Sequence, residues 1–596
     1  MDRNVLTATV LIALIMVVWL TWLSPEPAPV QQAQSISDST GVRPPAEMVE
    51  QAPPAVGAVS ALAKDDSTFV QGQNVPQQQI RVETDLYTAV FSNKGGTLVS
   101  FELKEYLKFE SEDAVNMVDT TKDGSIGVMF MSPDNRSYDT RSFYFTADES
   151  SDLIDASEAA RSLTYTVGIG EGSLAFTYTF TPESYEVGLS VQQTNASSFS
   201  TQEGYELSWI GGIPFTEGDH KDEGLKSGAY ARSGGEVESV LLASEEYDEL
   251  SLNGEVDWIA VKNKYFAVAL MADVPTLGAE LVGERFRAVT DSYLRHDYMA
   301  SLEVAAPGVG PDTFKMYIGP ILYKNFKPYA VNLYDMVDYG WDFFEIVTRP
   351  LAKFIFIPAF TYLHDVIPSY GLVIILLALL IKLVLHPLTR SSFKSMGKMR
   401  ELQPQMEAIK EKYSDNPKKQ QEAMMKMYKE TGVNPIGGCL PMLLQYPIII
   451  ALWQFLPQAI ELRQQGFLWA TDLSAPDIIL HLPFEIPFFG SFVAGFTLLM
   501  GISMVFQMKV SMTNQNNLQA KIFTYVFPVM IFVIFNKLAA GLNLYYLCYN
   551  VLTAFQQKLV NKQIHENPEE MKAPKVAKAA KKVDPKRGKI TGKKSN

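Results

Sequence analysis

The chain has 596 residues, of which 47% are hydrophobic, 20% charged and 11% aromatic, and its formal net charge is −15. That balance excludes both a simple soluble enzyme and a protein made wholly of membrane spans. Long apolar runs lie at the extreme N-terminus and beyond about residue 355, and the stretch between them alternates polar and apolar residues as a water-exposed domain does.

The first run, Val5 to Leu23, is long enough to cross a bilayer as a helix, with Arg3 just before it. Trp19, Trp22 and Leu23 run straight into Ser24-Pro25 without a small-residue cleavage site, so an uncleaved anchor is predicted over 1–24 with its N-terminus in the cytoplasm. Residues 25–79 hold eight prolines and nine glutamines and few large apolar side chains, which predicts a flexible linker.

From Ile80 the pattern changes to period two. Leu86, Tyr87, Val90 and Phe91 lead into the turn Asn93-Lys94-Gly95-Gly96, followed by Leu98, Phe101 and Leu103. The alternation recurs at Leu163/Tyr165/Val167/Ile169, at Leu174/Phe176/Tyr178/Phe180 and at Tyr185/Val187/Leu189/Val191, predicting an all-β sandwich over 80–335. This domain contains no cysteine, and its two histidines, His220 and His296, lack metal-ligand spacing. No metal, cofactor or catalytic set is expected there; a glycosidase would need two carboxylates converging in a cleft. Cys439 and Cys548 both fall in apolar segments, so no disulfide is expected.

Residues 336–369 mix Trp341, Phe343, Phe344, Ile346 and Phe354 with Asp342, Glu345, Arg349 and Lys353, which predicts an amphipathic helix lying in the membrane interface; a buried core helix is the alternative. Five spans are predicted after it, at about Tyr370–Leu388, Ile436–Leu456, Ile486–Phe506, Ile522–Leu538 and Leu542–Leu559, making six with the anchor. The loop Thr389–Pro435 carries ten Lys/Arg against six Asp/Glu, the tail from Asn561 eleven against four, and Glu461–Glu485 one against four. The positive-inside rule then puts both termini and the basic loop in the cytoplasm and residues 25–369 in the periplasm. The loop 390–433 reads as a helical hairpin, Ser395–Tyr413 and Lys418–Thr431, carrying Met396, Met399, Met406, Met424, Met425 and Met427; Met500, Met504, Met508 and Met512 form a second stripe. Methionine suits varied hydrophobic guests, although ordinary helix packing explains either stripe. The basic tail is suited to ribosomal RNA or to anionic lipid.

Lys382 interrupts the apolar run Leu372–Leu385. At mid-membrane a lysine costs about 2.5 to 3.5 kcal/mol, so either it snorkels to the cytoplasmic surface or it lines a wet cavity where it attracts acidic side chains of a passing polypeptide. Gln445, Asn543, Tyr545 and Tyr546 are candidate polar lining.

These residues also carry a resemblance. Lys382 is followed by His386-Pro387-Leu388-Thr389, then Met399-Arg400-Glu401-Leu402-Gln403-Pro404, then Asn434-Pro435-Ile436-Gly437-Gly438-Cys439-Leu440-Pro441, then Gly541-Leu542-Asn543-Leu544-Tyr545-Tyr546. The series resembles the YidC/Oxa/Alb family of membrane protein insertases over essentially the whole chain, in its Gram-negative form with a large periplasmic domain. The resemblance implies a five-helix core around a hydrophilic groove that holds a cation, and no enzyme activity. Its implied partners are nascent membrane proteins, the ribosome, the Sec translocon with its accessory subunits and the lipid bilayer, but not DNA. It maps the groove's cation onto Lys382 where family members generally carry arginine, so bidentate pairing with a carboxylate is lost. It maps a hydroxyl-bearing groove position onto Ala378, leaving Tyr546 as the matching substrate contact, with Gln445, Tyr545, Met500 and Met504 as further candidates. A secondary transporter, which usually shows repeated halves, and an anchored periplasmic binding protein are the rival readings.

Overall fold

The computed structural model describes residues 70, 75–201, 204–242, 245–287, 294–305, 310–329, 331–339, 342–431, 440–511 and 521–566. The expected anchor, nearly all of the linker, Met512, the motif from Asn434 to Cys439 and the tail beyond 566 lie outside the described residues. The chain divides into two units, Met1–Val337 and Asp338–Asn596.

The first unit is β-rich. Strands Arg161–Ile169, Gly172–Phe180 and Glu186–Thr194 form an antiparallel meander whose alternate residues, from Leu163 to Val191, are buried, as the period-two pattern requires. The turn after strand Tyr87–Ser92 places Gly95 and Gly96 at φ +86° and +56°, where a side chain at Gly96 would press on Phe145 and Tyr165. A nine-stranded and a six-stranded sheet face each other, and Tyr205 of the smaller donates to Asp312 Oδ2 of the larger at 2.8 Å. The expected sandwich is extended by a third, five-stranded sheet, whose Phe91 packs on Tyr178 at 4.6 Å. Its strand Gln79–Glu83 and the bridge of Val70 to Ile169 lie partly before the expected boundary at residue 80.

The second unit is mainly helical. Asp342–Leu351 continues through a π-helical turn, Ala352–Phe356, into Ile357–His364, so the expected interfacial segment is one helical run. Two stretches among the described residues, Glu345–His364 and Tyr370–Pro387, are long and apolar enough to cross a membrane, and Gly495–Ser511 and Thr524–Phe535 are shorter apolar helices. The helix beginning at Tyr370 does not stop at Leu388 but runs to Glu401 through Pro387. One proline removes a single backbone donor, and Thr389 Oγ1 bonds back to the carbonyl of Leu385 at 3.0 Å, so the regular flanks persist. The first arm of the expected hairpin is therefore split between this helix and Gln403–Lys412; the second arm, Pro417–Thr431, packs back on it with Met427 buried, Met425 exposed and the Tyr428 hydroxyl 3.9 Å from Met406 Sδ.

One expected span starts in the wrong place. Where the apolar run from Ile486 suggested a helix, the chain forms a β-hairpin, Ile478–Ile486 with Gly490–Ala494, and the helix begins only at Gly495. Pro483 and Pro487 break any helix here, and Phe488 takes φ +68° at the turn.

Candidate functional site

The polar residues of the second unit converge on its last helix, Ala540–Glu566, which packs against helices 370–401 and 495–511. Toward helix 495–511, Asn543 Nδ2 donates to Thr497 Oγ1 at 2.7 Å, Asn550 Nδ2 to Ser503 Oγ at 3.2 Å and Asn561 Nδ2 to the Val510 carbonyl at 3.3 Å. Toward helix 370–401, Lys382 Nζ donates to Thr553 Oγ1 at 2.7 Å, and Gln556 Nε2 lies 2.8 Å from His386 Nδ1 and donates to Thr389 Oγ1 at 3.3 Å. Residue numbers rise together along both seams, so the three helices run in the same direction.

Lys382 is only 6% exposed. Its ammonium sits 4.3 Å from the centre of the Tyr549 ring and 5.6 Å from that of Phe393, and among the described residues it has no ion-pair partner. Two rings and one hydroxyl stabilise a cation less than a hydrogen-bonded carboxylate would. The open groove expected around Lys382 is closed in this structure, because Tyr549 and Phe393 cover the amine.

The other expected residues fall at different depths. Ala378, one turn before Lys382, is fully buried, as are Tyr545 and Met500; Tyr546 is nearly so, and Gln445 and Met504 are partly exposed. Tyr545 stacks on Tyr549 at 6.1 Å, which links it to Lys382, and Tyr546 meets Phe535 edge-on at 5.3 Å. Gln445, on helix Leu440–Phe455, makes no hydrogen bond to Lys382 among the described residues, and Met500 shares a helix face with Ser503 rather than reaching the amine. The residues that most directly hold the cation, Thr553 and Tyr549, were not expected, nor were Thr497, Ser503, Asn550 and Gln556. For those on the last helix the signal is the recurrence of hydroxyl and amide side chains at Asn550, Thr553, Gln556, Gln557 and Asn561, about one helical turn apart. Four buried polar atoms on this helix, Asn543 Oδ1, Tyr545 OH, Gln556 Oε1 and Gln557 Oε1, have no hydrogen-bond partner among the described residues. Each costs about 1 to 3 kcal/mol unless a polar group reaches it.

The β-rich unit has a cavity of its own. His220 and His296, distant in sequence, flank Phe215 at 5.3 and 5.6 Å and line a cavity of about 320 Å³ with Lys108, Asp119, Arg295 and Asp297. Burial, and then Arg285, holds the His296 imidazole down at about 4. Beside it Glu223 is fully buried and accepts from the backbone of Thr216 and Glu217 and from Asn263 Nδ2, all at 2.9 Å; burial nevertheless pushes its carboxyl up to about 7. Glu223 anchors a loop, and the neighbouring Glu217 carboxylate, which shares the Thr216 hydroxyl with it at 3.0 Å, adds to that rise.

Two protein families match the chain: "YidC periplasmic domain" over residues 79–354 and "60Kd inner membrane protein" over residues 362–567. A protein of Chlorobium luteolum called "Membrane protein insertase YidC" is 38% identical over 571 residues, covering 94% of this chain and 95% of its own. Proteins of the same name match from Chlorobium phaeovibrioides, at 39% over 570 residues and 94% and 95% coverage, and from Chlorobaculum tepidum, at 36% over 591 residues and 98% of each chain. A solved structure described as an active YidC insertase with its first transmembrane domain resolved aligns with 82% of this chain and 93% of its own, at 19% identity and a TM-score of 0.32. On its relatives' extent and identity, the chain belongs to the YidC family of membrane protein insertases.

Proposed function

We propose that the protein inserts nascent membrane proteins into the inner membrane along the polar seam of helix 540–566, with Lys382 drawing acidic residues of the substrate into the bilayer. The observation that carries this reading is a buried cation held by a hydroxyl and two aromatic rings, with no ion-pair partner among the described residues. An intramembrane cation without a counter-ion is costly, and the cost is offset when a substrate carboxylate reaches it. Moving a polar segment into hydrocarbon costs several kcal/mol per unsatisfied group, and the amide-rich seam lowers that cost without ATP.

The parallel course of helices 370–401, 495–511 and 540–566 supports a topology in which they are the first, third and fifth spans of the core, each entering from the periplasm, with the helices at 440–455 and 527–535 returning between them. The same reading puts the hairpin 403–431, the basic tail and both termini in the cytoplasm, where hairpin and tail meet the ribosome, and it allows work alone or beside the Sec translocon. Six spans in all, the anchor included, belong to this reading. Tyr546 and Ala378 are the expected substrate contacts.

The test is insertion of ribosome-bound nascent chains into proteoliposomes holding the purified protein. Its gain over protein-free liposomes is expected to be about tenfold larger for a substrate with an acidic N-tail than for one neutralised to Asn and Gln, since a charge-assisted hydrogen bond is worth about 1.5 kcal/mol or more. Equal gains would contradict the electrostatic role of Lys382.

A further inference from the structure

The hairpin Ile478–Ile486/Gly490–Ala494 exposes a broad apolar surface: along the first strand Leu480, Leu482, Phe484 and Ile486 alternate onto one side, and the other carries Ile479 and Pro483 beside His481 and Glu485. Consecutive side chains of a strand point to opposite sides, and a hairpin resting its apolar side on the protein buries that side. Here Ile478, Ile479 and Leu480 are 43%, 52% and 56% exposed in succession, and Phe484 and Phe488 are 61% and 72% exposed. The only formal charge between residues 478 and 494 is Glu485. In water such a ribbon is an aggregation site.

Its turn and the foot of its second strand are nonetheless firmly fixed. Asn536, fully buried at the end of helix Phe527–Phe535, donates to the carbonyls of Phe489 and Phe492 at 3.2 and 2.7 Å and accepts from the Ala494 amide at 2.9 Å. Phe489 packs on Phe532 at 5.3 Å. Asp477 Oδ2 at the other foot accepts from Trp469 Nε1 at 2.8 Å and from the Phe496 amide at 2.6 Å. The second strand passes without a break into helix 495–511.

We infer that this hairpin lies in the outer-leaflet interface of the membrane, with Phe484, Phe488 and Ile478–Leu480 among the lipid acyl chains. The inference rests on the reading of helix 495–511 as a span entered from the periplasm, because continuity with that span puts the hairpin at the bilayer surface. Depth is limited by the backbone. Pairing is irregular between His481 and Ile486, and a two-stranded ribbon leaves open edges that hydrocarbon cannot satisfy, so the ribbon stays at headgroup level while its side chains reach down. Pro483 and Pro487 bring no N–H to that edge. Trp469, 45% exposed at the foot, sits where interfacial tryptophan is favoured, and Lys537 lies against Gly490 at the turn, where its ammonium can meet lipid phosphate.

The test uses the full-length protein in proteoliposomes, with Cys439 and Cys548 changed to Ser and a nitroxide placed in turn at Phe484→Cys, Phe488→Cys, Leu499→Cys and Leu241→Cys. Lipid contact gives more frequent collisions with oxygen than with a water-soluble nickel chelate. This pattern is expected at 484, 488 and 499, and the reverse at 241 on the β-rich unit. Positions 484 and 488 reading aqueous while 499 reads lipid would overturn the inference and leave the span reading intact. Shielding of 484 and 488 from both reagents would put a protein partner on the hairpin and overturn lipid as its occupant. An aqueous reading at 499 would remove the span reading and this inference with it.

Discussion

Replacing Lys382 with leucine is expected to leave the protein folded and at least as stable while cutting insertion of acidic-tailed substrates by about ten- to a hundredfold. The two effects have one cause. The ammonium is taken out of water with a single hydroxyl and two rings in compensation, so its removal relieves a desolvation cost of about 2.5 to 3.5 kcal/mol. Thr553 loses little, because its hydroxyl still donates to the Tyr549 carbonyl at 2.6 Å. Function loses a charge-assisted bond worth about 1.5 to 3 kcal/mol to the substrate, which is the stated factor. Lys382→Arg is expected to retain insertion, since charge and reach are kept. Thermal unfolding in detergent together with insertion rates checks both halves. A lower melting temperature for Lys382→Leu, with acidic and neutral tails affected equally, would make Lys382 a packing residue.

Trp258→Ala is expected to unfold the β-rich unit and spare insertion. Trp258 is fully buried, and its indole N–H donates to the Val331 carbonyl at 2.8 Å. Truncation costs about 3 to 5 kcal/mol for the cavity and about 1 kcal/mol more for the orphaned carbonyl, against a usual domain stability of about 5 to 15 kcal/mol. Every residue placed near Lys382 belongs to the other unit. Limited proteolysis should therefore show the β-rich unit digested at temperatures where the wild type resists, with insertion within about twofold of wild type, a difference of less than 1 kcal/mol. Loss of insertion at normal protein levels would give the β-rich unit a direct part in the reaction.

Much of this architecture is legible in the sequence wherever one physical pattern dominates. Period-two burial at 163–191 marks the meander, and a single lysine in the run 372–385 marks the candidate site. The third sheet is not legible, because Phe91 carries the same alternation whichever sheet it packs on. The hairpin at 478–494 was missed because apolarity alone was read, although Pro483, Pro487 and Gly490 are the residues that rule a helix out. The hydrogen-bonded seam was missed for another reason. Thr497, Ser503, Asn550 and Gln556 are each unremarkable in a helix, and only packing shows that they meet. Closure of the site by Tyr549 and Phe393 is likewise tertiary, since Phe393 lies beyond the apolar run 372–385.

Photo-crosslinking from a probe placed at Tyr546, and separately at Ala378, to ribosome-bound nascent chains of increasing length tests most directly whether a substrate passes beside Lys382. Because both side chains are buried in the closed structure, adducts require the seam of helix 540–566 to open for the substrate. Adducts at both positions, appearing at the chain lengths where the first apolar segment leaves the ribosome, are the expected result. Adducts at neither position, in a protein that remains folded and inserts its substrates, would contradict the account.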